Sequence, residues 1–312
     1  MYKPYLDYNQ QIQKLVSQKG LVISDFDYAR QKLIDIGYFS LIGGYKTPFI
    51  NPMTRKYETL TKFEDIVALY QFDKNLRQLT FGYLTDIEQK IRQLISDSFC
   101  SFYGEQQTAY LSPSSYTSAP THQRAVSKLI SILDKLANRD NDHAYIVHQR
   151  NTYHNVPLWV LTKALTFGQL SKMYSLLNFR QQSNVSKAYP FVSENELARY
   201  LNALTFFRNV CAHNERLYCH RLVQQDFPDK TLHAKLRIAK RGNQYLQGKN
   251  DYFGLLISFR YLLLKEDFNI YKKNLRNIIK SYLENSHRLP ETDLLNIMGF
   301  PSNWNHITRY RL

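Results

Sequence analysis

The sequence predicts an all-α protein, and three observations carry that prediction. Apolar residues recur with a period near 3.6 over most of the chain. Glycine (11) and proline (10) are scarce among 312 residues. Capping residues stand where the periodic segments begin. In chain order, residues 5–19 place Ile12, Leu15 and Val16 at helical spacing. Ser24 then reads as an N-cap, with Asp25 and Asp27 in the first turn of a helix to about Ile36. Residues 37–48 read as irregular, with room for a short strand. Their Gly-Tyr-Lys-Thr lacks the spacing of a phosphate-binding loop. From Thr61 to Phe102 there is no proline and one glycine, Gly82, so the segment is one long helix or two broken near Gly82. Residues 104–121, rich in Ser, Thr, Tyr and Pro, read as a loop. Arg124 to Ala137 returns to helical spacing, and the polar, His-containing 139–156 reads as a second loop.

Pro157 is suited to opening a helix that buries Leu158, Trp159, Leu161 and Leu165. Gly168 is expected to end or bend it before another helix over about 169–178. Ser193 is placed to cap a helix with acidic Glu194 and Glu196 in its first turn and an apolar face of Leu197, Tyr200, Leu201, Leu204, Phe207 and Val210. A basic stretch over 233–241 joins it to helices at about 251–264, 267–286 and 291–298. The division expected is an N-terminal helical and irregular extension, 1–60, and a helical domain, 61–312, with a basic C-terminal segment.

Composition narrows the functional classes. Hydrophobic residues at 44%, with 24 Tyr and 18 Phe, argue against disorder. The formal charge of +15, from 41 Lys+Arg against 26 Asp+Glu, favours a polyanionic partner such as nucleic acid. Cys100, Cys211 and Cys219 form no secreted disulfide framework. The N-terminus lacks an apolar signal core, and the run from Tyr252 to Leu264, interrupted by Ser258 and Arg260, is too short for a membrane span of about 20 residues. A cytoplasmic protein with no membrane partner is expected.

The stretch Arg208-Asn209-Val210-Cys211-Ala212-His213 carries the chemistry. Asn209 and His213 are i,i+4 neighbours on a helix, and Arg208 lies about 100° round, within reach of the same spot. A guanidinium suited to phosphoryl oxygens beside an imidazole that titrates near neutrality fits RNA cleavage. Glu88 and Arg92, also i,i+4, read as a salt bridge or as a pair that orients Arg208. Cys211, His213, Cys219 and His220 suggest zinc, but Cys211 and His213 point about 200° apart on a helix, which spoils a joint metal shell. No metal or cofactor is expected, and Cys211 reads as a small buried residue. His143, His148 and His154 read as solvent-facing. Lys235, Arg237, Lys240, Arg241 and Lys249, interleaved with Tyr245, would track an RNA backbone and stack a base, or form a solvated charged face.

Three separated blocks resemble a known family. They are Leu69-Tyr-Gln-Phe-Asp-Lys-Asn-Leu-Arg77 with Asp86-Ile-Glu-Gln-Lys-Ile-Arg92, Pro157-Leu-Trp-Val-Leu161 with Thr166-Phe-Gly-Gln-Leu-Ser171, and the Arg208–His213 motif with Arg216-Leu-Tyr218. Ile36-Gly-Tyr-Phe and Gly44-Tyr fit more weakly. Together, over about 5–220, the chain resembles the Abi-like family of bacterial phage-resistance proteins (the AbiD/AbiF group), within the HEPN superfamily. The resemblance implies a HEPN-type helical bundle, usually dimeric, with RxxxxH motifs of two protomers facing across a cleft. It implies metal-independent ribonuclease activity with Arg208, Asn209 and His213 as the active-site residues. It further implies abortive infection, with a small RNA restraining a toxin-like enzyme. Under this reading RNA is substrate, regulator or both, contacted by Arg216, Tyr218, Lys235, Arg237, Lys240 and Arg241. A non-catalytic RNA-binding regulator on the same fold is the alternative. A HEPN domain modified by a partner enzyme at a tyrosine such as Tyr218 is a third reading.

Overall fold

The computed structural model describes residues 4–286 and 288–312. It is all-α, with one two-stranded hairpin among the described residues. The N-terminal part holds α1 (Tyr8–Gln13), continued by a π-helical turn over Lys14–Gln18, and α2 (Phe26–Ile36). The middle holds α3 (Phe63–Tyr103), α4 (Gln107–Tyr110), α5 (Gln123–Arg139), α6 (Ala144–Tyr153), α7 (Leu158–Leu161), α8 (Phe167–Leu176), α9 (Phe179–Ser186) and α10 (Glu194–Ala212). After it come α11 (Thr231–Lys235), the hairpin β1 (Lys240–Arg241) and β2 (Gln244–Tyr245), then α12 (Tyr252–Leu262), α13 (Lys265–Asn285) and α14 (Glu291–Met298).

α3 organises the molecule. Its 41 residues run about 60 Å. Leu69, Phe72, Leu76, Leu84, Ile87, Ile91, Ile95 and Phe99 form its buried stripe, and α7, α8, α9, α10 and α13 all pack on it. Gly82 does not break the helix. A glycine costs about 1 kcal/mol in a helix interior, and the burial of this stripe outweighs it. The helix stops at Gly104, whose φ of 78° suits a residue without Cβ. One apolar core runs from Ile12 through α3 and α10 to Ile307, with Leu33, Leu41, Tyr45 and Phe49 inside it.

Several local expectations are corrected. Asp25, not Ser24, caps α2, accepting from the Tyr28 N–H at 2.8 Å. Residues 37–48 form no strand. Phe39–Gly43 is a π-helical turn and Thr47–Phe49 a 3-10 turn, because Leu41, Ile42, Tyr45 and Phe49 reach the core at helical spacing. The polar 139–156 segment contains a helix, α6. A single buried residue, Ile146, anchors it, and Arg150 ties it back to the carbonyls of Ala137 (3.1 Å) and Asp140 (2.8 Å). One apolar anchor in ten residues leaves no periodicity to read. Gly168 lies in the first turn of α8 rather than ending α7, since Thr166 and Gln169 make a capping box there. Trp159 is 45% exposed instead of joining the core.

Candidate functional site

α10 delivers the motif, and both its ends are written in the sequence. At the start, the Ser193 N–H donates to Glu196 Oε2 (2.9 Å) and the Glu196 N–H to Ser193 Oγ (3.4 Å), a capping box. At the end, the Glu215 N–H donates to the Val210 carbonyl (3.0 Å) and the Asn214 N–H to that of Cys211 (3.4 Å). This is a Schellman closure with Asn214 at φ 56° in the left-handed position. The stop leaves His213 as the C-terminal cap of α10, solvent-exposed, beside the turn that Asn214 makes.

The segment after the turn is held from beneath by a buried polar network. Asp73 of α3 is fully buried and accepts from the Tyr45 hydroxyl (2.7 Å), Arg77 Nη1 (2.6 Å), the Tyr218 N–H (2.7 Å) and the Leu217 N–H (3.1 Å). Arg77, also buried, donates to the Glu215 carbonyl (3.2 Å). Burial pushes the Asp73 carboxyl upward, opposed by Arg77, the Tyr45 hydroxyl and the two amides. Arg216 reaches the Gly44 carbonyl (3.2 Å), and the rings of Tyr45 and Tyr218 stack 6.0 Å apart. Three segments far apart in sequence (Gly44-Tyr45, Asp73 to Arg77, and 215–218) thus fix the backbone next to His213. Asp73 and Arg77 stand in the Leu69–Arg77 block, where the sequence alone assigns them no role at the site. Their signal was an acid and a base at i,i+4 on the apolar side of a long helix, where unpaired charge is not tolerated.

Arg208 is braced separately. Its Nε lies 3.5 Å from Glu88 Oε2, and its guanidinium carbon 5.9 Å from the centre of the Phe81 ring. Glu88 is shared with Arg92, whose Nη2 is 2.8 Å from Oε1. Arg92 in turn donates to the carbonyls of Thr162 (2.8 Å) and Leu165 (3.3 Å) just before α8. Glu88 Oε2 and Arg208 Nε are buried and form no hydrogen bond. The Arg208 side chain is 29% exposed, so its outer face remains available to an anion. Gly168 closes the arrangement. A Cβ there would meet the Thr205 side chain at 3.3 Å, so glycine lets α8 approach α10.

His213 opens onto a cleft of about 900 Å³. Phe39, Tyr70, Lys74 and Arg216 line it, with Asp35 and Glu215 supplying opposite charge. Arg208 does not line this cleft. Tyr70, Lys74, Arg77, Phe81 and Glu88 share one stripe of α3; its first two residues line the cleft, Arg77 is buried beneath the Glu215 carbonyl, and Phe81 and Glu88 lie against Arg208. Asn209 is exposed, and its link to His213 is through the backbone, the His213 N–H donating to the Asn209 carbonyl at 2.9 Å. Cys211 is buried, with its thiol pushed up to about 12 by that burial. Burial also holds His220 below the ordinary histidine range.

The other sequence candidates divide. Tyr218 is 2% exposed and stacked on Tyr45, so it presents no ring to RNA and no hydroxyl to a modifying enzyme. Tyr245 is not a free platform either, because its ring stacks on His233 at 4.8 Å and Lys240 Nζ sits 4.4 Å from its centre. Lys235 at the end of α11, Arg237 in the turn after it, and Lys240 and Arg241 on the hairpin are exposed. Among the described residues none of these four lines the His213 cleft. Lys249 is committed to the Phe227 carbonyl (2.7 Å) and to Asp229. No group of three or more His, Cys, Asp or Glu among the described residues is placed to hold a metal ion. Among them, too, no helix is long and apolar enough to cross a membrane.

No curated protein and no solved structure matches the chain. Residues 31–219, more than half its length, match the Abi-like protein family. That span reaches from α2 through α10 to the Asp73-bound loop, and so contains both the brace of Arg208 and the anchor of His213. The chain therefore belongs to the Abi-like protein family, which points to abortive infection, a form of phage defence.

Proposed function

We propose that this protein is a HEPN-type endoribonuclease of phage defence that cleaves RNA without a metal ion through Arg208, Asn209 and His213. The observation that carries the reading is the pairing of a braced, partly exposed Arg208 with an exposed His213 at the end of the same helix, next to a cleft. Arg208 is held 3.5 Å from Glu88, and its side chain is 29% exposed, which leaves its outer face open to a phosphate.

The reaction follows from the groups. A ribose 2′-oxygen attacks the adjacent phosphorus in line, forms the new P–O bond and loses its proton to a base. The bond to the 5′-oxygen breaks, and that oxygen takes a proton from an acid. The products are a 2′,3′-cyclic phosphate and a 5′-hydroxyl. His213 serves as base or acid. Arg208 neutralises charge growing on the non-bridging oxygens. Asn209 hydrogen-bonds the phosphate. A homodimer would supply a second His213, so that acid and base come from different chains. The exposed stripe of Asn202, Phe206, Asn209 and His213 along α10 supports such a facing arrangement, with Phe206 46% exposed at its middle. A small RNA bound at the same groups would restrain the enzyme until infection.

The test is cleavage of RNA in EDTA by the purified protein. His213→Ala is expected to abolish it while leaving circular dichroism and Tm unchanged, and product 3′ ends are expected to be cyclic phosphates. DNA, lacking the 2′-hydroxyl, is expected to stay intact. Undiminished cleavage by His213→Ala would sink the assignment.

A further inference from the structure

We propose that the cleft beside His213 is a binding site for an unpaired nucleotide of the RNA, with Phe39 as its stacking platform and Lys74 and Arg216 as phosphate contacts. The inference rests on the ribonuclease reading for the identity of the strand and, among the described residues, on the exposed ring and free cations of the cleft for the site itself. Phe39 is 87% exposed, and its ring lies over Gly43, where a Cβ would stand 3.4 Å from it. Single exposed aromatics are common on protein surfaces. This one lines the same cleft as His213 and is held by a π-helical turn whose neighbours Leu41, Ile42 and Tyr45 are buried. Its position is therefore fixed by the core, while its ring has an open face.

The charged groups complete the site. Lys74 is exposed and makes no ion pair among the described residues, and neither does Arg216, whose Nη1 is tied to the Gly44 carbonyl. Arg221 also lines the cleft but is spent on the carbonyls of His220 (3.1 Å) and Ile297 (2.6 Å). Asp35 and Glu215 offset part of the positive charge, so local attraction is modest and stacking supplies the larger share. The cleft volume, about 900 Å³, lies within the range of about 300–1,000 Å³ typical of small-ligand sites. A duplex keeps its bases stacked on one another and cannot lay one on Phe39, so the site selects single strands.

A short fluorescein-labelled 2′-O-methyl oligouridylate tests this in the full-length protein, because the methyl group blocks attack and leaves binding alone to be read. By fluorescence anisotropy, Phe39→Ala is expected to weaken binding about tenfold or more, within the range seen for loss of one stacked base. Phe39→Trp, which keeps a π-face, is expected to hold most of the affinity. Lys74→Gln is expected to flatten the dependence of log K on log salt by about 0.7. A duplex of the same composition is expected to be insensitive to Phe39→Ala. Equal affinity of wild type and Phe39→Ala for the single strand, or equal loss with duplex, overturns the proposal. The nuclease reading is scored on the unmodified strand. Phe39-dependent binding with no cleavage removes the nuclease reading and keeps the cleft. Cleavage that depends on His213, with Phe39→Ala binding like wild type, removes the cleft alone.

Discussion

Replacing Asp73 by alanine tests whether the motif loop is held from below. Asp73 is fully buried and Arg77 is 3% exposed. Asp73→Ala leaves a guanidinium with the Glu215 carbonyl and the Tyr45 hydroxyl as its remaining acceptors. Removing one partner of a buried ion pair costs about 3–5 kcal/mol. The amides of Leu217 and Tyr218 lose their acceptor as well. Hydrogen bonds to a charged group are each worth about 1.5–3 kcal/mol. Members of one network do not add, however, so the loss expected is at the upper end of 3–5 kcal/mol. That is a large part of a domain stability of about 5–15 kcal/mol. Urea unfolding measures it, and amide exchange localises it, with Leu217 and Tyr218 losing protection before the core of α3 does. The double variant Asp73→Leu/Arg77→Met removes both charges and is expected to recover about half of the loss, since an apolar pair is often no worse than a buried ion pair. The two amides remain without an acceptor and keep recovery incomplete. A single-variant loss below about 1 kcal/mol, or a double variant no more stable than Asp73→Ala, would refute the reasoning.

Three further outcomes are expected. Glu88→Gln removes the charge that holds Arg208, and kcat for RNA cleavage is expected to fall about tenfold to a hundredfold with little change in KM, because a misplacement of about 1 Å has that effect; an unchanged kcat would show that Glu88 does not position Arg208. Asn214→Val puts a β-branched residue at φ 56° and is expected to cost about 1–2 kcal/mol, read as a lower urea midpoint, whereas Asn214→Gly is expected to be neutral or slightly stabilising. Burial holds His233 below its ordinary 6.5, so the unfolded chain takes up its proton first and stability falls as pH drops through 6.5 toward the lowered value, by up to about 1.4 kcal/mol per pH unit. Asp251, pushed up to about 6, acts in the opposite sense, its contribution fading as pH rises through that value. Urea midpoints of wild type and His233→Asn between pH 7.5 and 5.5 isolate the histidine, and parallel curves would contradict its assigned role.

How much of this was legible in the sequence depends on how local each signal is. The helical class and the ends of α10 depend on neighbours within a few residues, and Ser193, Glu196 and the apolar face of α10 announce them directly. α6 escaped because its single buried residue, Ile146, gives no period, and its fixings to Ala137 and Asp140 come from Arg150. Trp159 escaped because hydrophobicity says that a side chain is suited to burial, not that a neighbour is there to cover it. The candidate site divides the same way. Arg208, Asn209 and His213 are contiguous and carry recognisable chemistry. The parts that fix them come from α3 and from Gly44-Tyr45, more than a hundred residues upstream. The pair Glu88 and Arg92 was visible as an i,i+4 ion pair, but its second contact, to Arg208, depends on how α3 and α10 are packed. Tyr218 shows the cost of reading position for role. Adjacent to the motif, it reads as an RNA contact, yet its backbone N–H belongs to Asp73 and its ring to Tyr45. The motif names the reactive groups. The buried charges of α3 decide where they stand, and charge on the buried side of a long helix is the sequence signal that points to them.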